Sequence, residues 1–206
     1  MNERRIVVGV TGASGALYAI RTLRALLLSG VEIDLVVSNF GARLLRDETG
    51  FDIEEETIPE FLARTEGLTS VTGRVVLYDE LDLGAPISSG SYHVHGMVVV
   101  PCSTKTLSGI AHGASLNLIE RAADVTLKER RRLVVVPREA PLNLVHLRNM
   151  LAVTEAGGVI VPAAPGFYQK PETFEDLGDF IAGRILNLFG IAQTLFTPWG
   201  MEPEPD

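Results

Sequence analysis

Four short runs, Arg5–Val10, Met97–Val100, Leu133–Val136 and Val159–Val161, are rich in β-branched apolar residues with almost no polar interruption. A strand with one wet face alternates apolar and polar residues; a strand buried on both faces does not. These runs therefore demand a sheet covered on both sides. The cover is written between them at helical spacing. Leu17, Ile20, Leu23 and Leu27 recur up to a stop at Gly30, and Phe174, Leu177, Ile181, Ile185 and Leu188 stripe a last helix. Val31–Ser38 and Arg74–Tyr78 add strands, and Gly41–Glu48, Pro59–Thr65, Thr104–His112 and Leu118–Arg130 add helices. Leu144, Leu147 and Leu151 mark one more helix after Pro141. Strand and helix alternate, which predicts an α/β fold with a parallel sheet between two helical layers.

No linker-like stretch divides the 206 residues, so one domain spans the chain, with about 192–206 an extended or disordered tail. The net charge of −8 disfavours nucleic acid and anionic membrane as partners. Any phosphate site must be a local basic pocket in an acidic protein. Cys102, the one cysteine, can make no intrachain disulfide and reads as a small buried hydrophobe. The N-terminal apolar run breaks at Gly9 and Thr11, so no signal segment is expected; no run of 18 apolar residues occurs, and a cytoplasmic setting is expected.

Ligands of open α/β sheets bind outside the carboxyl ends of the strands. Collected there are Thr11-Gly12-Ala13-Ser14-Gly15, Ser38-Asn39, Pro101-Cys102-Ser103-Thr104-Lys105-Thr106, Pro137-Arg138-Glu139 and a proline-rich loop with Tyr168. Hydroxyls and helix N-terminal N–H groups bind phosphate, and small residues let it approach. This is the composition of a site for a phosphate-bearing cofactor.

Each stretch also has a plainer reading. TGASG is equally a tight turn with Ser14 as a helix cap. Ser103 is equally a cap, and Lys105 a solvated side chain. Arg121 and Lys128 share a helix face about 10 Å apart; they hold a phosphate together, or Lys128 pairs with Asp124 at i,i+4. Arg138-Glu139, between Pro137 and Pro141, is a rigidly presented charge pair or a surface pair. Tyr168 and Trp199 read as core residues and Arg184 as an exposed helix residue. The four histidines, His93 and His95 included, show no metal-ligand spacing. A nicotinamide dehydrogenase ranks last, because the glycines are Gly9, Gly12 and Gly15 rather than G-x-G-x-x-G. Strand two, moreover, ends in Ser38 rather than an acid.

Taken together, VTGASGALYAIRTL (10–23), ISSGS (87–91), VVVPCSTKTLSGIAHG (98–113), residues 117–150 and PAAPGFYQKPETFEDLGDFIAGRILNLFGI (162–191) resemble the flavin prenyltransferase family, UbiX type. The resemblance implies a flavodoxin-like or Rossmann-like three-layer fold, a homo-oligomer (usually a dodecamer) and FMN bound near subunit boundaries. It implies transfer of a dimethylallyl group from dimethylallyl phosphate to N5 and C6 of reduced FMN, without a metal. The product, prenylated FMN, would serve a UbiD-type decarboxylase. By position, Gly12, Ala13, Ser14, Ser38, Ser103, Thr104, Lys105, Thr106 and Arg138 resemble the flavin-binding residues. Tyr168 and Arg184 resemble the prenyl-phosphate contacts, with Arg121, Lys128 and Glu139 completing that pocket and Ser89, Gly90 and Ser91 lining it. Ser14, Glu139, Lys128 and Tyr168 are the expected catalytic groups. Glu48 aligns with an acidic residue near a neighbouring subunit's site. The rival readings are an FMN-dependent cysteine decarboxylase and a non-catalytic FMN carrier.

Overall fold

The computed structural model describes residues 4–68 and 70–200. Six strands form one parallel sheet: β1 (Arg5–Val10), β2 (Glu32–Val37), β3 (Arg74–Tyr78), β4 (Gly96–Cys102), β5 (Arg132–Pro137) and β6 (Val159–Ile160). Their order is β3-β2-β1-β4-β5-β6, so the winding reverses between β1 and β4. Helices α1 (Ala16–Leu28), α2 (Asn39–Thr49), α3 (Ile58–Glu66) and α7 (Phe174–Leu188) contribute to one apolar core, with Ile6, Val8 and Val10 of β1. The opposite core joins Val7 to α4 (Thr104–Ala111), α5 (Leu118–Lys128) and α6 (Leu144–Glu155). The two lists alternate along β1, as burial on both faces requires.

Three details depart from the expected elements. β4 runs through Pro101 to Cys102 because a register shift between Val99 and Cys102 absorbs the residue that cannot donate. α5 stops at Lys128, two residues early, and Arg130 takes a left-handed φ of 57°. Leu144, Leu147 and Leu151 do lie on a helix, but they are exposed; α6 turns Asn149 and Val153 inward instead. Residues 192–200 form no helix or strand, yet Gln169 Nε2 donates to Thr197 O at 2.7 Å and Phe196 lies against Gly183 of α7. The rest of the expected tail, 201–206, lies outside the described residues. Among them, no helix is long and apolar enough to cross a membrane.

Asp34 on β2 is buried at 2% exposure. The Tyr78 hydroxyl donates to its Oδ1 at 3.4 Å, while Oδ2 accepts no hydrogen bond and lies 3.9 Å from Arg5 Nε. Burial pushes this carboxyl above its ordinary 3.8, against the opposing pull of Arg5. Folding therefore favours the neutral acid: the penalty is absent below the ordinary value and grows as pH rises through it. Asp34→Asn is expected to raise the melting temperature near neutral pH, with the gain vanishing below about pH 4. Thermal melts across pH check this; an equal gain at both ends would contradict it.

Candidate active site

The reversal sets the loops after β1 and β4 side by side, and Thr11 fastens them. Its amide and hydroxyl donate to Pro101 O at 3.2 and 2.9 Å, and its hydroxyl oxygen accepts from Ser103 N at 2.7 Å. Outside this joint opens a cleft of about 540 Å³, lined by Gly12, Ser38, Asn39, Phe40, Glu80 and Asn117 together with Ser103, Thr104, Lys105 and Thr106. Six of the expected flavin residues share this wall. Gly12 is needed there: a Cβ on it would stand 2.5 Å from Phe40 Cβ.

Helices α1, α2 and α4 all begin at this edge. Ser38 Oγ accepts from Gly41 N at 3.1 Å, and Ser103 Oγ accepts from Thr106 N at 3.2 Å. Both serines thus cap a helix as well as line the cleft. The α1 start differs. Its N-cap is Gly15, at φ 110°, and no side chain of the turn caps it. Instead Glu48, from α2, accepts from Gly15 N and Ala16 N at 2.8 Å each. The expected cap, Ser14, offers its carbonyl to Arg138 Nε at 2.8 Å. Burial works against the Glu48 charge, but the Ala16 and Gly15 amides, the Ser14 hydroxyl and Arg138 outweigh it and hold the carboxyl below its usual range. Glu48 is therefore bound into its own chain's turn. Ala13 is buried beside Gly12, and Glu139 is exposed, accepting from Ala140 N at 3.0 Å.

A second group lies on the α5 side. Arg121 Nε donates to Ser88 O at 3.2 Å and its NH1 to Asp124 at 2.8 Å. Lys128 pairs with Glu129, so the alternative i,i+4 pair with Asp124 is not formed. The Ser89 and Ser91 hydroxyls stand 2.9 Å apart, and a Cβ on Gly90 would come within 2.7 Å of Lys128 Nζ. Arg131 holds this loop from below, donating to Gly90 O at 2.8 Å and Tyr92 O at 2.9 Å.

Tyr168 and Arg184 form a third group. Tyr168 meets the edges of Phe180 and Trp199 at 5.8 and 5.1 Å. Trp199 is 79% exposed, so it is no core anchor. Arg184 is an exposed residue of α7 and makes no ion pair among the described residues. Because α5 belongs to one core and α7 to the other, Arg121 and Lys128 lie on one side of the sheet and Arg184 on the opposite side. One chain does not gather the four groups.

Cys102 is fully buried, and burial pushes its thiol far above the ordinary range, which removes it as a nucleophile. His95 Nδ1 accepts from Arg5 N at 3.0 Å, a structural tie. Phe40, Glu80 and Asn117 are the lining residues that sequence reasoning did not single out. Only Asn117 left a signal, as the cap three residues before Glu120.

A family model described as Flavoprotein matches residues 1–186. The flavin prenyltransferase UbiX of Halalkalibacterium halodurans is 48% identical over 197 residues, covering 95% of this chain and 93% of that protein. This chain is a member of the flavin prenyltransferase family. Among solved members of related name, AnUbiX in complex with FMN and dimethylallyl pyrophosphate superimposes with a TM-score of 0.86 at 44% identity, covering 98% of this chain and all of that one. A dodecameric FMN-dependent UbiX-like decarboxylase from Escherichia coli gives 0.79 at 40% identity, covering 90% and 94%. An FMN-dependent cysteine decarboxylase, SpaF, shares only the fold, at 20% identity and a TM-score of 0.53.

Proposed function

We propose that this flavin prenyltransferase joins a dimethylallyl group from dimethylallyl phosphate to N5 and C6 of reduced FMN, and that the prenylated FMN passes to a UbiD-type decarboxylase in the cytoplasm. The carrying observation is the cleft at the β1/β4 reversal, whose hydroxyls, helix starts and Gly12 fit a flat phosphate-bearing flavin. Reduced FMN, when bound, supplies the electron-rich atoms that receive the prenyl carbon.

The protein's task is to let a phosphate leave. Arg121, Lys128 and Arg184 stabilise the charge that grows on the departing oxygen, and the Tyr168 hydroxyl donates to it. Excluding water around the allylic carbon protects it from hydrolysis. Glu139, exposed just past the end of β5, takes the proton that leaves N5 and, with Ser14 in the relay, returns one to the prenyl double bond so that its far carbon joins C6, whose own proton then leaves by the same route. Since the cations lie on opposite sides of the sheet, we assign each complete site to more than one chain of a dodecamer. The similarity of a dodecameric homologue supports this, and the exposed α6 leucines offer an apolar contact face.

The test is anaerobic incubation of reduced FMN with the prenyl ester, followed by mass and absorption spectra of the released flavin. The expected product is FMN heavier by one prenyl group. Parallel arms with the mono- and diphosphate esters identify the donor. Unchanged FMN in both arms would refute the reading, and turnover of a peptidyl-cysteine instead would favour the cysteine decarboxylase.

A further inference from the structure

Two of the three helices that begin at the flavin cleft already carry a carboxylate on their first amides. On α1 it is Glu48. On α2 it is Glu80, from the segment after β3: its Oε1 accepts from Asn39 N at 3.0 Å. Glu80 also lines the cleft, together with Ser38, Asn39, Phe40, Ser103 and Thr104. Its backbone is fixed, because Glu80 O accepts from Leu118 N at 2.7 Å and so ties the segment to α5. Among the residues lining the cleft, Lys105 is the one cation and Glu80 the one anion.

An anion in the wall of a cleft for an anionic ligand works against binding unless it moves. A carboxylate is also the closest side-chain analogue of a phosphate ester: negative and acceptor-only. A helix start flanked by a hydroxyl such as Ser38 is where either anion binds. We infer that Glu80 is a built-in competitor for the flavin phosphate, holding the Asn39 amide in the open cleft and yielding it when a phosphate arrives. This rests on the flavin reading above. It makes Glu80 a residue that sets affinity and selects among flavins: it weakens binding of phosphate-bearing flavins, substrate and product alike, and leaves riboflavin untouched. An enzyme that must hand on its modified flavin is helped by such a device.

The test is titration of the full-length oligomer, as wild type, Glu80→Gln and Glu80→Ala, with FMN and with riboflavin, followed by flavin fluorescence and with melting temperatures recorded. Both variants are expected to bind FMN about tenfold more tightly, the effect of removing one nearby charge in a partly wet site, with riboflavin affinity unchanged. FMN affinity that is unaltered or weaker in the folded variants would overturn the inference. So would equal tightening of both flavins. Should one variant fail to fold, the other decides. Wild-type protein that binds neither flavin is a separate result, and it would overturn the functional reading itself.

Discussion

Replacing Arg121 or Arg184 with alanine is expected to lower single-turnover prenylation about 100- to 1,000-fold, the loss typical of removing one donor to a developing charge. FMN affinity should stay near wild type, because neither residue lines the flavin cleft. The stronger expectation concerns mixtures. Arg121 belongs to α5 and Arg184 to α7, on opposite faces of the sheet. If a site takes its Arg121 from one chain and its Arg184 from another, two inactive chains complement each other. In a one-to-one co-assembly, about a quarter of the sites receive both arginines, since each is supplied by an intact chain half the time. Differently tagged Arg121→Ala and Arg184→Ala chains, co-expressed and purified through both tags, should regain about that fraction of activity. Mixed oligomers as inactive as either parent would show that the arginines do not serve one shared site.

Arg21→Ala is expected to destabilise the fold by about 3 kcal/mol, the cost of stranding the partners of a buried charge. Arg21 lies in α1 with only 9% of its side chain exposed. It donates to both oxygens of Asp179 on α7, at 2.7 Å each, and to Glu66 on α3 at 2.8 Å. Gly178 leaves the room: a Cβ there would meet Arg21 Cγ at 2.6 Å. The guanidinium thus joins three helices of one layer; without it the mostly buried Asp179 loses both of its hydrogen bonds from Arg21, while Glu66 keeps Arg24 at 2.5 Å. A shift of roughly 10 °C in the melting temperature follows for a chain of this size. Arg21→Met keeps the packing of the stem but not the charge, so it should recover only part of the loss. A melt within about 2 °C of wild type for Arg21→Ala would show that the cluster contributes little.

Much of this protein is legible in one dimension. Unbroken valine runs specify strands buried on both faces, the leucine spacing specifies the covering helices, and alternation specifies parallel pairing. Serines and small residues after the strands mark the ligand edge, because every parallel strand ends on the same side. These are local signals, carried by neighbours within a few residues. What the chain could not show were pairings across long separations: Glu48 on the Gly15 turn, Glu80 on the Asn39 amide, Arg21 bridging to Asp179. Nor could periodicity tell which side of α6 faces the sheet, since its leucines mark a helix whichever way it rolls. The largest such decision is the separation of Arg121 from Arg184. The family resemblance proposes both cations for one pocket, but crossover connections assign their helices to opposite faces, and only the folded sheet reveals that a single chain does not bring them together.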